Sequence, residues 1–440
     1  MRIRQFVLAA GLVLSSVAAV QSAPPRETWI GAWGFVPTPL PPGLTPPLTV
    51  TTPAAIPLAA SLPALPAPAT PSALLIDNPG NVPVMAAESD PSNVTIRQLV
   101  RVAVAGKRLR LRFSNEGGSD ALVLGAVHVG AAGPDGTELP GTDHVVTFDG
   151  HGGVAIPASA PLLSDAVSMN VEALQKLVIS IHIPGAFSRT GHSLYQYVAG
   201  QPGDHTSAAA LPNVRIMRLP ALVTRLDVDP VSANAVVVTL GDSITEGAAS
   251  TNNAFRGWPD RLAERLAAAK SKWSVVNAGI GGNRLLRYGT GPNALARLDR
   301  DVFGVAGVKA VILLEGINDI GRGFTTQGPQ DPATLEALIA ADKQIIERCH
   351  VHGVKVYGAL LTPYQGAGYA SPAGEQVRTG LNNWIKTSGA FDGVVDFATA
   401  TGDPANPLAF RADYNIRDKL HPNDAGYRAM GDAIDLGLFK

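Results

Sequence analysis

The stretch that decides the fold is Val-Val-Val-Thr-Leu-Gly-Asp-Ser-Ile-Thr-Glu-Gly, residues 236–247. Its apolar, β-branched start predicts a buried parallel strand. The run stops at Gly241, and Ser243 follows at the entry of a predicted helix. Because ligands bind beyond the carboxyl ends of the strands in open α/β sheets, Ser243 is a candidate for chemistry. Asp242 and Ser243 are also favoured helix caps, so this segment alone leaves both interpretations open.

The rest of the chain after about residue 230 alternates between strand and helix patterns. Such alternation indicates a parallel sheet with crossover helices, and hence an α/β domain over residues 231–440. The apolar spacing of Trp258, Leu262 and Leu266 predicts one buried helix face. The predicted strands are 235–240, 273–277, 310–315, 354–361 and 394–397, and the predicted helices are 258–270, 331–352, 375–388 and 424–436.

The preceding half has a different sequence pattern, because apolar residues repeat at every second position from about residue 94. We predict a hairpin that joins 95–104 to 108–113 and has one face in water. Further short strands, and one at 29–33, indicate an antiparallel β-sandwich over residues 24–230 with a Pro/Ala-rich loop at 37–71. We expect no catalytic role for the scattered histidines of this half, which are His128, His144, His151, His182, His192 and His205.

The first residues are typical of a secretory signal peptide. Arg2 and Arg4 precede an apolar run at 6–20, and small residues follow, so we expect cleavage within 19–23 and a secreted or periplasmic protein. No other stretch has the length of a membrane span without charge or proline. The single cysteine, Cys349, excludes an internal disulfide and a cysteine-rich zinc site.

The charge of the chain gives no sign of a polyanionic partner. The 440 residues have a formal net charge of -1, and only 16% of them are charged. We therefore expect no nucleic-acid or anionic-membrane partner, and instead a small or neutral one.

A serine needs a general base, and the best candidate in the α/β half is His421. It lies in a predicted loop before the last helix, and Asp418 stands three residues earlier. A turn could bring the Asp418 carboxylate to the imidazole. The alternative is a surface histidine beside an ordinary loop aspartate. His350 and His352 lie at the end of a predicted long helix and are poorly placed.

Two loops after predicted strands could stabilise an oxyanion. The loop at 277–283 is rich in glycine, which lets backbone N–H groups approach a ligand closely. The loop at 315–319 carries Asn318, whose side chain could point to the same place. The alternatives are a tight turn and an Asx-turn. A phosphate loop is disfavoured because no Lys-Ser/Thr pair follows the glycines.

Four segments in this order resemble the four blocks of the SGNH (GDSL-type) hydrolase superfamily over residues 235–440. They are 241–243, 281–282, 316–319 and 418–421. The resemblance implies a flavodoxin-like parallel sheet with helices on both faces and no metal or organic cofactor. It also implies Ser243 as nucleophile, His421 as base, Asp418 as the residue that orients it, and an oxyanion hole made by the Ser243 and Gly282 N–H groups and the Asn318 side chain. Thr245 stands where a Gly-x-Ser-x-Gly elbow needs glycine, which argues against the α/β-hydrolase fold.

Three segments of the N-terminal half, which are 29–33, the predicted hairpin around Gly106 and 113–117, resemble secreted two-domain members similar to acetylxylan-type esterases, in which a β-sandwich precedes the hydrolase. The resemblance implies a secreted serine carboxylic-ester hydrolase that removes short acyl (acetyl) groups from a carbohydrate or small ester. A lysophospholipase or thioesterase acting on lipids is the alternative enzyme, and the loop at 364–369 is a candidate wall of its acyl pocket. A non-catalytic glycan-binding protein is the alternative from another class.

Overall fold

The computed structural model of the protein describes residues 28–38, 92–186, 191–323 and 332–440. The predicted signal peptide and nearly all of the predicted Pro/Ala-rich loop lie outside these ranges. Within them, no helix combines the length and the apolar character that a bilayer span needs.

The N-terminal part consists of antiparallel sheets, as predicted. A four-stranded sheet has the order β1-β12-β3-β8, a six-stranded sheet the order β11-β10-β2-β9-β5-β6, and β4 pairs with β7. Inward-facing residues of both large sheets share one apolar core, in which Phe113 and Phe148 pack edge to face at 5.3 Å. The strands are β1 Ile30–Gly34, β2 Ser92–Arg101, β3 Gly106–Ser114, β4 Leu122–Leu124, β5 Val127–Ala131, β6 His144–Val145, β7 Val154–Ile156, β8 Pro161–Leu163, β9 Lys176–Ala186, β10 Ser193–Val198, β11 Arg215–Pro220 and β12 Val223–Pro230.

The predicted hairpin between β2 and β3 is wrong, because the two strands belong to different sheets. β2 pairs with β9 and β10, and β3 pairs with β12 and β8. The residues between them form a corner, where Ala103 N donates to Ala32 O at 2.8 Å and Gly106 N donates to Val171 O at 3.0 Å. Alternation predicts a strand but not its partner, and here the partners come from distant parts of the sequence.

The predicted wet face of β2 is also wrong. Arg97 on that face is fully buried. Its guanidinium donates to Ser180 Oγ at 2.8 Å and to the carbonyls of Gly136, Ala208 and Ala209. A buried cation needs such partners, and here the loops that cover the sheet supply them.

The C-terminal part is a five-stranded parallel sheet with helices, as predicted. Its order is β14-β13-β15-β16-β17, which is the flavodoxin-like 2-1-3-4-5 arrangement. The order reverses at β13, so the carboxyl end of β13 is the expected ligand position. The elements are β13 Ala235–Gly241, α1 Ser243–Glu246, α2 Trp258–Ala268, β14 Trp273–Gly279, α3 Ala294–Leu298, β15 Val308–Leu314, α4 Ile317–Gly323, α5 Leu335–Val351, β16 Lys355–Ala359, α6 Pro372–Thr387, β17 Gly393–Val395, α7 Phe397–Thr401, the paired β18 Gly402–Asp403 and β19 Asn406–Phe410, and α8 Asp424–Ala433.

Burial explains why β13 and α2 take these positions. Every residue of β13 is buried, as its β-branched run predicts for a central strand. On α2, Trp258, Leu262 and Leu266 are buried together, and Trp258 packs against Phe397 at 5.0 Å. The prediction of one core-facing stripe on this helix is therefore confirmed.

β1 joins the two parts of the molecule. Gly31 N donates to Ala306 O at 2.9 Å, and Ser274 Oγ donates to Gly31 O at 2.7 Å. The buried apolar side chains of the antiparallel and parallel parts form one continuous cluster. The two parts therefore share an extensive interface.

Candidate active site

The first candidate residue, Ser243, lies where β13 gives way to α1. Asp242 is the N-cap of this helix, and its Oδ1 accepts a hydrogen bond from Ile244 N at 2.8 Å. Ser243 is the first helical residue and does not cap the helix. Its side chain is therefore free to point beyond the carboxyl end of β13.

The structure brings Ser243, His421 and Asp418 together. Ser243 Oγ lies 2.9 Å from His421 Nε2, and His421 Nδ1 lies 2.6 Å from Asp418 Oδ2. An ionised carboxylate can only accept, so Nδ1 carries the proton and donates it to Asp418. The Nε2 atom then accepts a hydrogen bond from the serine hydroxyl.

Hydrogen bonds keep Asp418 ionised. Burial, the largest single influence, opposes ionisation, but the imidazole of His421 and two backbone N–H groups together hold the pKa of Asp418 below its ordinary value. The two backbone donors are Leu420 N and His421 N, each 2.9 Å from Oδ1. The loop thus fixes one carboxylate oxygen and leaves the other for the imidazole.

The His421 loop is closed on itself. Asn415 and Pro422 form an antiparallel bridge across it, and Ile416 N donates to His421 O at 3.2 Å. Arg417 and Lys419, on either side of Asp418, have φ values of +76° and +60°. Such conformations are rare for residues with a side chain and are held only where the surrounding structure enforces them.

Gly282 lies on the loop after β14, and Asn318 lies on the neighbouring helix α4. Gly282 has a φ of +73°, and Asn318 is 95% buried in the first turn of α4. Asn318 Nδ2 donates to Asn283 O at 3.0 Å, which uses one of its two N–H bonds. Within the described ranges, the backbone N–H groups of Ser243 and Gly282 donate no hydrogen bond. They are therefore available to a ligand.

Two further contacts shape the loop that carries Gly282. A Cβ at Gly279 would overlap the backbone nitrogen of Glu246, so glycine lets this loop approach α1. The carboxylate of Asp319 accepts from Leu285 N at 2.7 Å and from Leu286 N at 3.0 Å. Asn318 and Asp319 together tie α4 to the loop at 282–286.

Sequence reasoning missed Arg297, a fully buried residue beneath this loop. Its guanidinium donates to Gly241 O at 2.9 Å, Ala278 O at 2.7 Å and Asn283 Oδ1 at 3.0 Å. It also pairs with Asp301. Arg297 thus joins the ends of β13 and β14. The only sequence signal was a charged residue among apolar neighbours in 294–298.

The antiparallel part also contributes to the surroundings of Ser243. His192 Nε2 lies 3.0 Å from Glu246 Oε1, one helical turn after Ser243, and Arg218 lies 3.7 Å from the same oxygen. Burial, the largest influence, opposes ionisation, but these two groups lower the pKa of Glu246. The absence of a catalytic role for His192 stays a prediction, although it lies closer to the site than its sequence position suggested.

Tyr369, from the loop predicted to form an acyl-pocket wall, packs its ring on Gly321 of α4. Its hydroxyl is buried and has no hydrogen-bond partner in the described part of the chain. Burial, the largest influence, raises the pKa of this hydroxyl, and Asp242 adds to the effect. The phenol therefore stays protonated and can donate.

Comparison with known proteins assigns part of the chain to a family. Residues 239–429 match the GDSL-like Lipase/Acylhydrolase family. The C-terminal part of the chain belongs to that family. This confirms the resemblance seen in the sequence, and residues 239–429 form a GDSL-type hydrolase domain. None of the curated protein sequences matches the chain.

In the described ranges, no group of three or more His, Cys, Asp and Glu side chains is arranged to hold a metal ion.

Several solved structures are similar to this GDSL hydrolase. A GDSL-like lipase from Bacteroides thetaiotaomicron VPI-5482 is 19% identical, with 48% of this chain and 90% of that chain covered and a TM-score of 0.36. The psychrotrophic esterase EstA from Pseudoalteromonas sp. is 18% identical, with 45% of this chain and 93% of that chain covered and a TM-score of 0.34. The acetyl xylan esterase Axe2 from Geobacillus stearothermophilus is 18% identical, with 47% of this chain and 95% of that chain covered and a TM-score of 0.37.

Proposed function

We propose that this GDSL hydrolase is a secreted serine esterase that removes short acyl groups, acetyl first, from a carbohydrate or a small ester. The observation that carries the catalytic part is the hydrogen-bonded chain from Ser243 through His421 to Asp418, with 2.9 Å and 2.6 Å between the paired atoms. A serine, an imidazole and a carboxylate in this order are what acyl transfer at neutral pH needs.

In the first half of the reaction, Ser243 Oγ attacks the carbonyl carbon of the ester and its proton passes to His421 Nε2. The imidazolium that forms is stabilised by Asp418, which keeps its negative charge. When the tetrahedral intermediate collapses, Nε2–H gives the proton to the departing alcohol oxygen. The acyl group is then bound to Ser243 as an ester.

The negative charge of the intermediate falls on the former carbonyl oxygen. We assign its donors to the free N–H groups of Ser243 and Gly282 and to the second N–H of the Asn318 amide. Asn283 O accepts the first of these amide hydrogens, which fixes the plane of the Asn318 side chain. Donors fixed before the reaction need no reorganisation when charge develops, and this is why they accelerate it.

In the second half of the reaction, water takes the place of the alcohol. His421 Nε2 accepts a proton from the water as it attacks the acyl carbon, and then returns a proton to Ser243 Oγ. The products are the free carboxylic acid and the original serine. No metal or cofactor takes part in this scheme.

The preference for a short acyl group and the secreted location have separate support. Both rest on the sequence, through the likeness to secreted two-domain esterases and the signal-peptide pattern of residues 1–23. A lipid-directed enzyme would instead prefer long acyl chains. A glycan-binding protein would not hydrolyse esters at all.

The test is hydrolysis of 4-nitrophenyl esters from acetate to palmitate by the wild type, Ser243→Ala and Ser250→Ala. Ser250 is a matched control, because its hydroxyl donates to Gly247 O in the same loop and not to His421. We expect activity that falls with acyl length, disappears in Ser243→Ala and persists in Ser250→Ala. Activity that rises with length would favour the lipid hydrolase, and equal rates in wild type and Ser243→Ala would refute the serine mechanism.

A further inference from the structure

Two arginines lie beside the candidate oxyanion loop without an assigned task. Arg322, four residues after Asn318 on α4, is exposed. Its Nη2 atom is 3.4 Å from the position that a Cβ on Gly282 would occupy. The exposed guanidinium therefore stands next to Gly282, whose N–H is one of the proposed oxyanion donors.

The second arginine, Arg284, follows Gly282 by two residues. It is only 8% exposed, and its Nε has no hydrogen-bond partner in the described part of the chain. Burial lowers the pKa of Arg284, and the positive charge of Arg322 lowers it further. Both side chains lie near Gly282: Arg322 Nη2 approaches its Cβ position, and Arg284 Cγ and the Gly282 carbonyl both lie within 3.5 Å of the Cβ position on Gly289.

The carboxylate of Asp319 offsets the positive charge of Arg284 only in part. Asp319 raises the pKa of Arg284, but its two oxygens accept hydrogen bonds from Leu285 N and Leu286 N, and it forms no ion pair with Arg284 within the described ranges. Among the described residues, neither Arg284 nor Arg322 forms an ion pair. Two neighbouring cations with free donors, one of them buried, are an arrangement that a bound anion would stabilise.

We propose that Arg322 and Arg284 bind a carboxylate carried by the ester substrate, beside the oxyanion loop. This inference rests on the proposed esterase function and narrows its substrate class to esters with a negative charge. Thr290 adds a hydroxyl at the same place, since its Oγ1 is 2.5 Å from the Cβ position on Gly282. Guanidinium groups match the planar, two-oxygen shape of a carboxylate.

The test compares matched charged and neutral esters. For a charge on the acyl side, the pair is mono-4-nitrophenyl adipate and methyl 4-nitrophenyl adipate. The free carboxylate of the first compound is too distant to attack its own ester readily. For a charge on the alcohol side, the pair is 4-acetoxybenzoate and its methyl ester. The readout is the ratio of kcat/KM for the charged ester to kcat/KM for the neutral one.

Three variants separate the charge from general damage. Arg322→Gln removes the charge, and Arg322→Lys keeps it without the planar fork. Lys309→Gln is the control, because Lys309 is an exposed residue near the amino end of β15. That end lies about 17 Å from the strand's carboxyl end, at five residues of about 3.3 Å each.

We expect Arg322→Gln to lower the ratio about tenfold in at least one series, which is the size of one lost charged hydrogen bond. Arg322→Lys should retain part of the ratio, added salt should reduce it in the wild type, and Lys309→Gln should leave it unchanged. The series that responds tells whether the carboxylate belongs to the acid or to the alcohol.

Equal losses for charged and neutral esters in Arg322→Gln would overturn the carboxylate site while leaving the esterase intact. So would a ratio that Arg322→Gln leaves unchanged in both series. If the wild type hydrolyses none of the four esters and no 4-nitrophenyl acetate either, the proposed function itself fails, and this inference fails with it.

Discussion

The buried carboxyl group of Asp242 should make the folded protein less stable as the pH rises through neutrality. Burial, the largest influence, raises the pKa of Asp242 from an ordinary 3.8 to about 7, against the hydrogen bond from Ile244 and the charge of His421. At low pH the carboxyl keeps its proton in the folded and the unfolded chain. Between about pH 4 and 7 only the unfolded chain releases it, so the free energy of unfolding falls by about 1.4 kcal/mol per pH unit.

The total effect is about 4 kcal/mol, of which about 3 kcal/mol falls between about pH 5 and 8. Asp242→Asn removes the titration and keeps the cap, because asparagine is as good an N-cap as aspartate. The new amide N–H₂ replaces an oxygen that has no partner among the described residues, at a cost of about 1–3 kcal/mol. That cost is the same at every pH, so it shifts the stability curve without changing its slope.

The assay is denaturant unfolding followed by tryptophan fluorescence at several pH values from about 5 to about 8. The stability of Asp242→Asn relative to the wild type should rise by about 3 kcal/mol across this range. Asp396→Asn is the control, because Asp396 also caps a helix but its carboxylate hydrogen bonds, both to Thr399, are exposed. Parallel stability curves for Asp242→Asn and the wild type would refute a raised pKa at Asp242.

Other expectations concern catalysis and domain coupling. Asn318→Ala should lower kcat by ~10²–10³ with the fold intact, and an unchanged kcat in the ester assay would remove Asn318 from the site. Asp418→Asn should lower kcat by about 10⁴, because an amide donates to Nδ1 and moves the imidazole proton to Nε2; recovery at high pH would be the expected signature. Ser243→Ala and His421→Ala should cost similar factors that do not multiply in the double variant, whereas a full product would refute joint action. Limited proteolysis should yield one protected fragment spanning both parts, and an intact 231–440 fragment would contradict the shared core.

Much of the α/β fold could be predicted because parallel strands impose their own geometry. A buried β-branched run is typical of a parallel strand, and all such strands end at the same edge of the sheet. Ser243 directly follows β13 at this edge, and the loop before α8 brings His421, 178 residues later in the sequence, to 2.9 Å from it. The sequence therefore predicted not only the elements but also which of their loops would meet.

The antiparallel part was harder, because alternation does not name a strand's partner. The short link between β2 and β3 suited a hairpin, yet β2 pairs with β9 and β10, and β3 pairs with β8 and β12, all of them distant in the sequence. Arg97 looked solvent-facing for the same reason. The local sequence pattern does not indicate that distant loops will cover this face of the strand and supply carbonyl acceptors to the Arg97 guanidinium.

The residues missed in the site share one property, which is that their partners are far away in sequence. The role of Arg297 can be recognised only from its hydrogen bonds to the carbonyls of Gly241 and Ala278, at the ends of two different strands. The role of His192 can be recognised only from its contact with Glu246, which lies in the other part of the molecule. Motif spacing detects residues that act on substrate, whereas residues that hold those loops in place are set by tertiary contacts.

The position of Glu246 argues that the antiparallel part is required for the site and is not an independent attachment. The Glu246 side chain is only 13% exposed, and its Oε2 is 2.7 Å from the position that a Cβ on Gly281 would occupy, so it packs against the loop carrying Gly282. The groups that lower the pKa of Glu246 against its burial, chiefly His192 and Arg218, both come from the antiparallel part. Without that part a nearly buried carboxylate would stand uncompensated beside the proposed oxyanion donors, where negative charge opposes the intermediate. The antiparallel part therefore helps to set the electrostatics of the proposed reaction, in addition to any role in holding a carbohydrate.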